Sequence, residues 1–130
     1  MKRALILVEG QTEERFVKDT LAPHLTTLDL YITPTLLTTK VVKNGPNFKG
    51  GVTSFDKFEA DMKRLLAGAA QDWLVTTMLD YYRLPADFPG MSSRPHPINL
   101  FTRVRHVEQA IAAHFNDARL LPFLALHEFE

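Results

Sequence analysis

LILVEGQTEERF, residues 5–16, decides how the rest of the chain is read. Four apolar residues, Leu5 to Val8, run into a carboxylate at Glu9, a glycine at Gly10 and then helix-forming sequence. Taken from Arg3, the stretch 3–8 is apolar at consecutive positions, the pattern of a strand buried on both faces of a parallel sheet. Gly10 permits a tight turn, Thr12 suits a helix N-cap, and Glu13 and Glu14 are favoured in a first helical turn. Phe16, Val17, Thr20 and Leu21 fall on one face of that helix, and Pro23, which has no N–H to donate, ends it.

Working outward, residues 30–38 read as a second strand in which Pro34 marks an edge or a bulge. Residues 40–51 are a turn-rich loop. Thr53 or Ser54 caps a second helix carrying the stripe Phe55, Phe58, Met62, Leu65 and Leu66. A third strand, 73–79, ends at Asp80. A long loop, 81–103, holds Pro85, Pro89, Pro95 and Pro97, and loops of that length are commonly functional. Val104, Val107, Ile111 and Phe115 mark a third helix, and residues 120–127 form a fourth strand ending at Glu128. Strands alternating with helices define the α/β class: a single domain, 1–130, with a mainly parallel four-stranded sheet and helices packed on it. The fourth strand is apolar at successive positions, yet no helix follows it. The expectation is a chain truncated at its C-terminus that forms a homodimer through this strand or the helix Val104–Phe115, unless that helix or the 81–103 loop folds back over the sheet.

Composition narrows the function classes. Lys plus Arg and Asp plus Glu number 15 each, so the net charge is zero and strong indiscriminate binding of nucleic acid is disfavoured. The absence of cysteine excludes disulfides and thiolate metal ligands and fits a cytoplasmic setting. No apolar run approaches the ~18 residues of a membrane span. Gly45 and Gly50 have P-loop spacing, but Gly51 stands where lysine is needed, and neither GxGxxG nor GxSxG occurs.

The acids are more informative. In a parallel sheet all strand C-termini lie on one edge, where ligands of such folds bind. Glu9, Asp80 and the pair Glu128 and Glu130 follow three different strands to that edge. Clustered carboxylates repel one another, and a divalent cation relieves the repulsion. A set of oxygen ligands points to Mg²⁺, Mn²⁺ or Ca²⁺. Two stretches without acids start from the same edge. One contains Lys40, Lys43 and Lys49; the other contains Arg94, His96, Arg103, Arg105 and His106. Cationic loops around an acidic centre suit a polyanion whose phosphates meet a metal. Tyr81 and Tyr82 directly follow Asp80; they are placed to stack on a base or to pack under the long loop, and packing is the expectation.

VEGQTEERFV, TTMLDYYRLPADFPG and LPFLALHEFE resemble an uncharacterised bacterial family, a domain of unknown function with a TOPRIM-like fold related to nucleases of the overcoming-lysogenization-defect type. The resemblance implies Mg²⁺ or Mn²⁺ held by Glu9 after the first strand and Asp80 after the third, both catalytic in a nuclease. On the nuclease reading, Lys43, Lys49, Arg94 and Arg103 of the acid-free stretches are expected to contact the phosphates. The family pattern has a second aspartate two residues after the first, where this chain has Tyr82; Glu128 and Glu130 then stand in for the missing carboxylate. The resemblance also implies an ABC-like ATPase partner, and with it a second reading: a non-catalytic binding or regulatory module.

Overall fold

The N-terminal apolar run forms β1 (Lys2–Val8) in the computed structural model of the chain, which describes residues 2–38, 54–95 and 99–126. Ala4, Ile6, Leu7 and Val8 are all buried, as a strand covered on both faces requires. Ile6 and Val8 pack with Val17 and Met78 on one side. Leu7 belongs to a larger cluster with Val75 and Leu79 and with the helices of the opposite face.

The segment after β1 is helical from Gln11 to Thr26, as α1 (Gln11–Phe16), a π turn (Val17–Leu21) and α2 (Ala22–Thr26). Two expectations are corrected here. The N-cap is Gly10, not Thr12: its backbone is extended, and its carbonyl accepts the Glu14 N–H at 3.0 Å. Pro23 does not end the helix. The wide π turn places it in the first turn of α2, where a missing N–H costs least. Thr26 and Thr27 hydroxyls then bond back to Ala22 and His24 carbonyls, and Asp29 adopts a positive φ of 62° to leave the helix.

β2 (Leu30–Leu36) pairs in parallel with β1, Ile6 opposite Pro34. It is the outer strand on that side, a position that tolerates proline. Beyond it, Thr38 is fixed by the buried Asp61 carboxylate, which accepts from its N–H at 2.6 Å and its hydroxyl at 3.0 Å. The expected 40–51 loop and Thr53 lie outside the described residues. α3 (Phe55–Gly68) buries Phe55, Phe58, Met62 and Leu66, most of the expected stripe. Ser54 occupies its N-cap without a side-chain bond; the Asp87 carboxylate accepts the Phe55 N–H instead, at 3.1 and 3.3 Å.

β3 (Leu74–Asp80) lies at the centre of the sheet, whose order is β2-β1-β3-β4. The next helix, α4 (Leu100–Phe115), begins earlier than expected, so Phe101 to Arg103 are helical rather than loop. Asn99 starts it, its side chain accepting the Phe101 N–H at 2.9 Å. Between β3 and α4 the chain does fold back: Leu84, Phe88 and Met91 are buried in the cluster that holds Val104, Val107 and Ile111. The α4 face proposed for self-association is therefore already covered. His114 of α4 pairs with Glu59 of α3 and ties the two helices together.

The fourth strand is interrupted. β4 (Leu120–Leu121) and β5 (Leu124–Ala125) both pair in parallel with β3, separated at Pro122. Thr77 bridges the break: its hydroxyl donates to the Phe123 carbonyl at 2.8 Å and accepts the Phe123 N–H at 2.9 Å. Leu120 and Leu124 point into the core, but Leu121 and Phe123 are about half exposed, so this is not the doubly buried central strand that its composition suggests. Among the described residues no helix is long and apolar enough to cross a membrane.

Gly90 has φ 84°, and a Cβ there would stand 2.7 Å from the Ala110 Cβ on α4. Gly90→Ala combines backbone strain with that clash. It is expected to lower stability by about 2 kcal/mol, read as a lower urea midpoint at unchanged m-value.

Candidate functional site at the β1–β3 switch point

The strand order gives the site its place. From β1 the chain first adds β2 on one side and then crosses to add β3 on the other. The crevice between β1 and β3 is thus the topological switch point, the usual ligand position in open parallel sheets. Val8 pairs with Met78 in the last rung between the two strands. Glu9 comes one residue after that rung and Asp80 two residues after it, so adjacent strands deliver both carboxylates to the same edge.

Both are buried, Glu9 at 6% exposure and Asp80 at 8%. Glu9 Oε1 has no hydrogen-bond partner among the described residues. Burial, first of all, pushes the Glu9 carboxyl up to about 7; the Asp80 backbone N–H works against this, the charges of Glu13 and Asp80 add to it, and Arg83 offsets part of it. Asp80 is better satisfied. Its Oδ1 accepts the Tyr82 N–H at 3.0 Å, capping a single 3₁₀ turn (Tyr81–Arg83), and its Oδ2 lies 3.7 Å from Arg83 Nε.

The 3₁₀ turn connects the carboxylates to a fixed cation. Arg94 Nη1 donates to the Tyr81 hydroxyl at 2.9 Å and Nε to the Met91 carbonyl at 2.8 Å, with the guanidinium 5.9 Å from the Tyr81 ring centre. Arg103 sits in the first turn of α4, its Nε buried without a partner among the described residues. Near it along the helix, His106 Nε2 is 2.9 Å from the Ser93 hydroxyl.

Of the expected site residues, the fold brings Glu9 and Asp80 to neighbouring strand ends and places Arg94 against the residue that follows Asp80. Lys43, Lys49, Glu128 and Glu130 lie outside the described residues. Among the described residues no group of three or more His, Asp or Glu side chains converges as a metal would need, so this part of the chain supplies two carboxylates. In donor type they fit a hard divalent cation: two carboxylates, one with an unused buried oxygen. Two participants were not singled out from sequence. Glu13 looked like a helix first-turn acid, yet its charge acts on Glu9. Arg83, three residues after Asp80, has the spacing of a local ion pair, and that spacing was the available signal.

The chain belongs to the family described as "Domain of unknown function (DUF4276)", whose model matches residues 8–130. No curated protein and no solved structure matches it significantly.

A carboxyl raised from 4.5 to about 7 on folding gives a stability contribution that is complete below pH 4.5 and is lost as pH rises through 7. Glu9→Gln removes that titration. The metal-free variant is expected to be more stable than the parent at pH 8, by up to about 3 kcal/mol, with the gain shrinking toward zero near pH 4.5. Chemical denaturation of both proteins in chelator across that range measures it.

Proposed function

We propose that the chain is a TOPRIM-like, divalent-metal-dependent nuclease domain acting on nucleic-acid phosphodiesters in the cytoplasm. One observation supports this above the others: two buried carboxylates from adjacent parallel strands meet the switch-point crevice, and one of them keeps an oxygen with no partner among the described residues. Glu9 and Asp80 would hold Mg²⁺ or Mn²⁺, with Glu128 and Glu130 as further carboxylate donors. When bound, such an ion supplies positive charge that polarises a scissile phosphate.

The remaining chemistry belongs to the chain's own groups. Without a cation, burial holds the Glu9 carboxyl at about 7; positive charge brought to it favours the carboxylate, the form that holds an ion and can take a proton from an attacking water. Arg83 moderates the negative charge at Asp80 and lets the two acids share the crevice. Arg94, held at two points, presents a guanidinium whose position is set before a phosphate arrives. Arg103, Lys43 and Lys49 complete the set of phosphate-binding cations on this reading.

A second reading rests on Tyr82. It stands where the TOPRIM pattern has its second aspartate, and only two carboxylates converge among the described residues. A module with that defect binds without turnover and serves an ABC-like ATPase as a regulatory partner.

Supercoiled-plasmid nicking with Mg²⁺ or Mn²⁺ separates the two. The nuclease reading expects nicking that chelator abolishes and that Asp80→Asn reduces at least 100-fold, on the scale of losing a ligand to a catalytic metal. Plasmid that is bound but left intact by the parent protein with either metal would favour the regulatory module.

A further inference from the structure

Tyr81 and Tyr82 are adjacent and have opposite fates. Tyr81 is 4% exposed and packs in the main core; Tyr82 is 62% exposed, contrary to the expectation that both pack under the following loop. We propose that Tyr82 is a stacking platform for an unpaired nucleobase, which makes single-stranded nucleic acid the substrate class of the site. This rests on the nuclease reading and adds to it the residue that selects the substrate.

A lone exposed tyrosine is ordinary on a protein surface. Tyr82 differs in where it is and how it is held. Its backbone N–H is bonded to Asp80 Oδ1 at 3.0 Å, so the ring starts two residues from a carboxylate of the site. Its ring meets the Tyr81 ring at 5.4 Å and 71°, an edge contact that orients it while most of its surface stays in water. Tyr81 is itself anchored by Arg94. The backbone of Tyr82 is thus held at Asp80 and its ring rests against an anchored neighbour, which restricts where the aromatic surface lies before a ligand binds.

The surroundings point to the same class of ligand. β3 and β4 are parallel, so the connection between them leaves from the edge where Asp80 lies, and α4 starts on that side. Its first turn carries Phe101, 70% exposed, and Arg103. Tyr82 follows Asp80 and leans on Tyr81, whose hydroxyl holds Arg94, so an exposed aromatic face and a cation occur beside the same carboxylate, the combination that binds single strands through base faces and phosphates together. In a duplex both faces of each base are already stacked and offer the ring nothing without unpairing, at a cost of a few kcal/mol.

The test is fluorescence anisotropy in chelator, where nothing is cut, with a labelled single-stranded oligonucleotide and its duplex at matched salt. The single strand is expected to bind at least tenfold more tightly than the duplex. Tyr82→Ala, which removes an exposed ring and leaves the core intact, should weaken single-strand binding about tenfold or more and leave duplex binding within about twofold, while Tyr82→Phe keeps the parent affinity. Equal binding of the two forms, or single-strand binding unchanged in Tyr82→Ala while Arg94→Ala weakens it, overturns the role of Tyr82 and leaves the nuclease reading standing. A protein that binds neither form, in chelator or with Ca²⁺ added in its place, defeats the nuclease reading and this proposal with it.

Discussion

Glu9 is almost wholly withdrawn from bulk water, and much of the molecule is arranged around that fact. β1 is covered on both faces, by the helix that follows it and by α3 and α4, so whatever residue ends β1 starts out inside the protein. A carboxylate there loses hydration, has one oxygen without a partner among the described residues and faces a second acid across the β1–β3 crevice. Such a group is stable only as the neutral acid or with positive charge brought to it. Arg83 brings some, 3.7 Å from Asp80, and Glu13 adds negative charge of its own. The protein thus holds an excess of negative charge at the point in the sheet where ligands of this architecture bind, and in the proposed function a cation offsets it.

Much of this was legible in the sequence because it depends on period and position. An uninterrupted apolar run, a 3.6-residue stripe on Phe55, Phe58, Met62 and Leu66, and acids at the ends of the first and third strands all survive without knowledge of tertiary contacts. The misread points share a cause: each depends on a partner distant in sequence or on a local backbone adjustment. Pro23 looked like a terminus because a π turn before it was not foreseen. Pro122 was absorbed into a continuous strand because the group that repairs the break, the Thr77 hydroxyl, comes from another strand. Asn99 was a readable cap that was passed over in a loop rich in proline. Strand order, on which the pairing of Glu9 with Asp80 depends, has no signature in a single sequence at all.

Charge that sums to zero over the chain is not evenly distributed at the crevice. Glu9 and Asp80 are buried there, whereas Arg94, held against Tyr81, is partly exposed. Membership in a family of unknown function gives no activity to this arrangement, so the chemistry has to be argued from the groups themselves. Tyr82 is the residue on which the alternatives turn. If the TOPRIM-like reading holds, it replaces an aspartate and speaks for a module without turnover; as an exposed ring beside Asp80 it speaks for recognition of a base. Both readings need the same thing of Glu9 and Asp80, namely that they act as one site.

Isothermal titration calorimetry of the metal-free protein with Mg²⁺ and with Mn²⁺, on the parent chain and on Asp80→Ala, tests that claim most directly. Asp80→Ala relieves like-charge repulsion on Glu9, so the variant is expected to stay folded without metal. The account expects saturable binding of a divalent ion by the parent and a loss of at least tenfold in affinity in the variant. Equal affinity in the two proteins, or no divalent-ion binding by the parent, would contradict it.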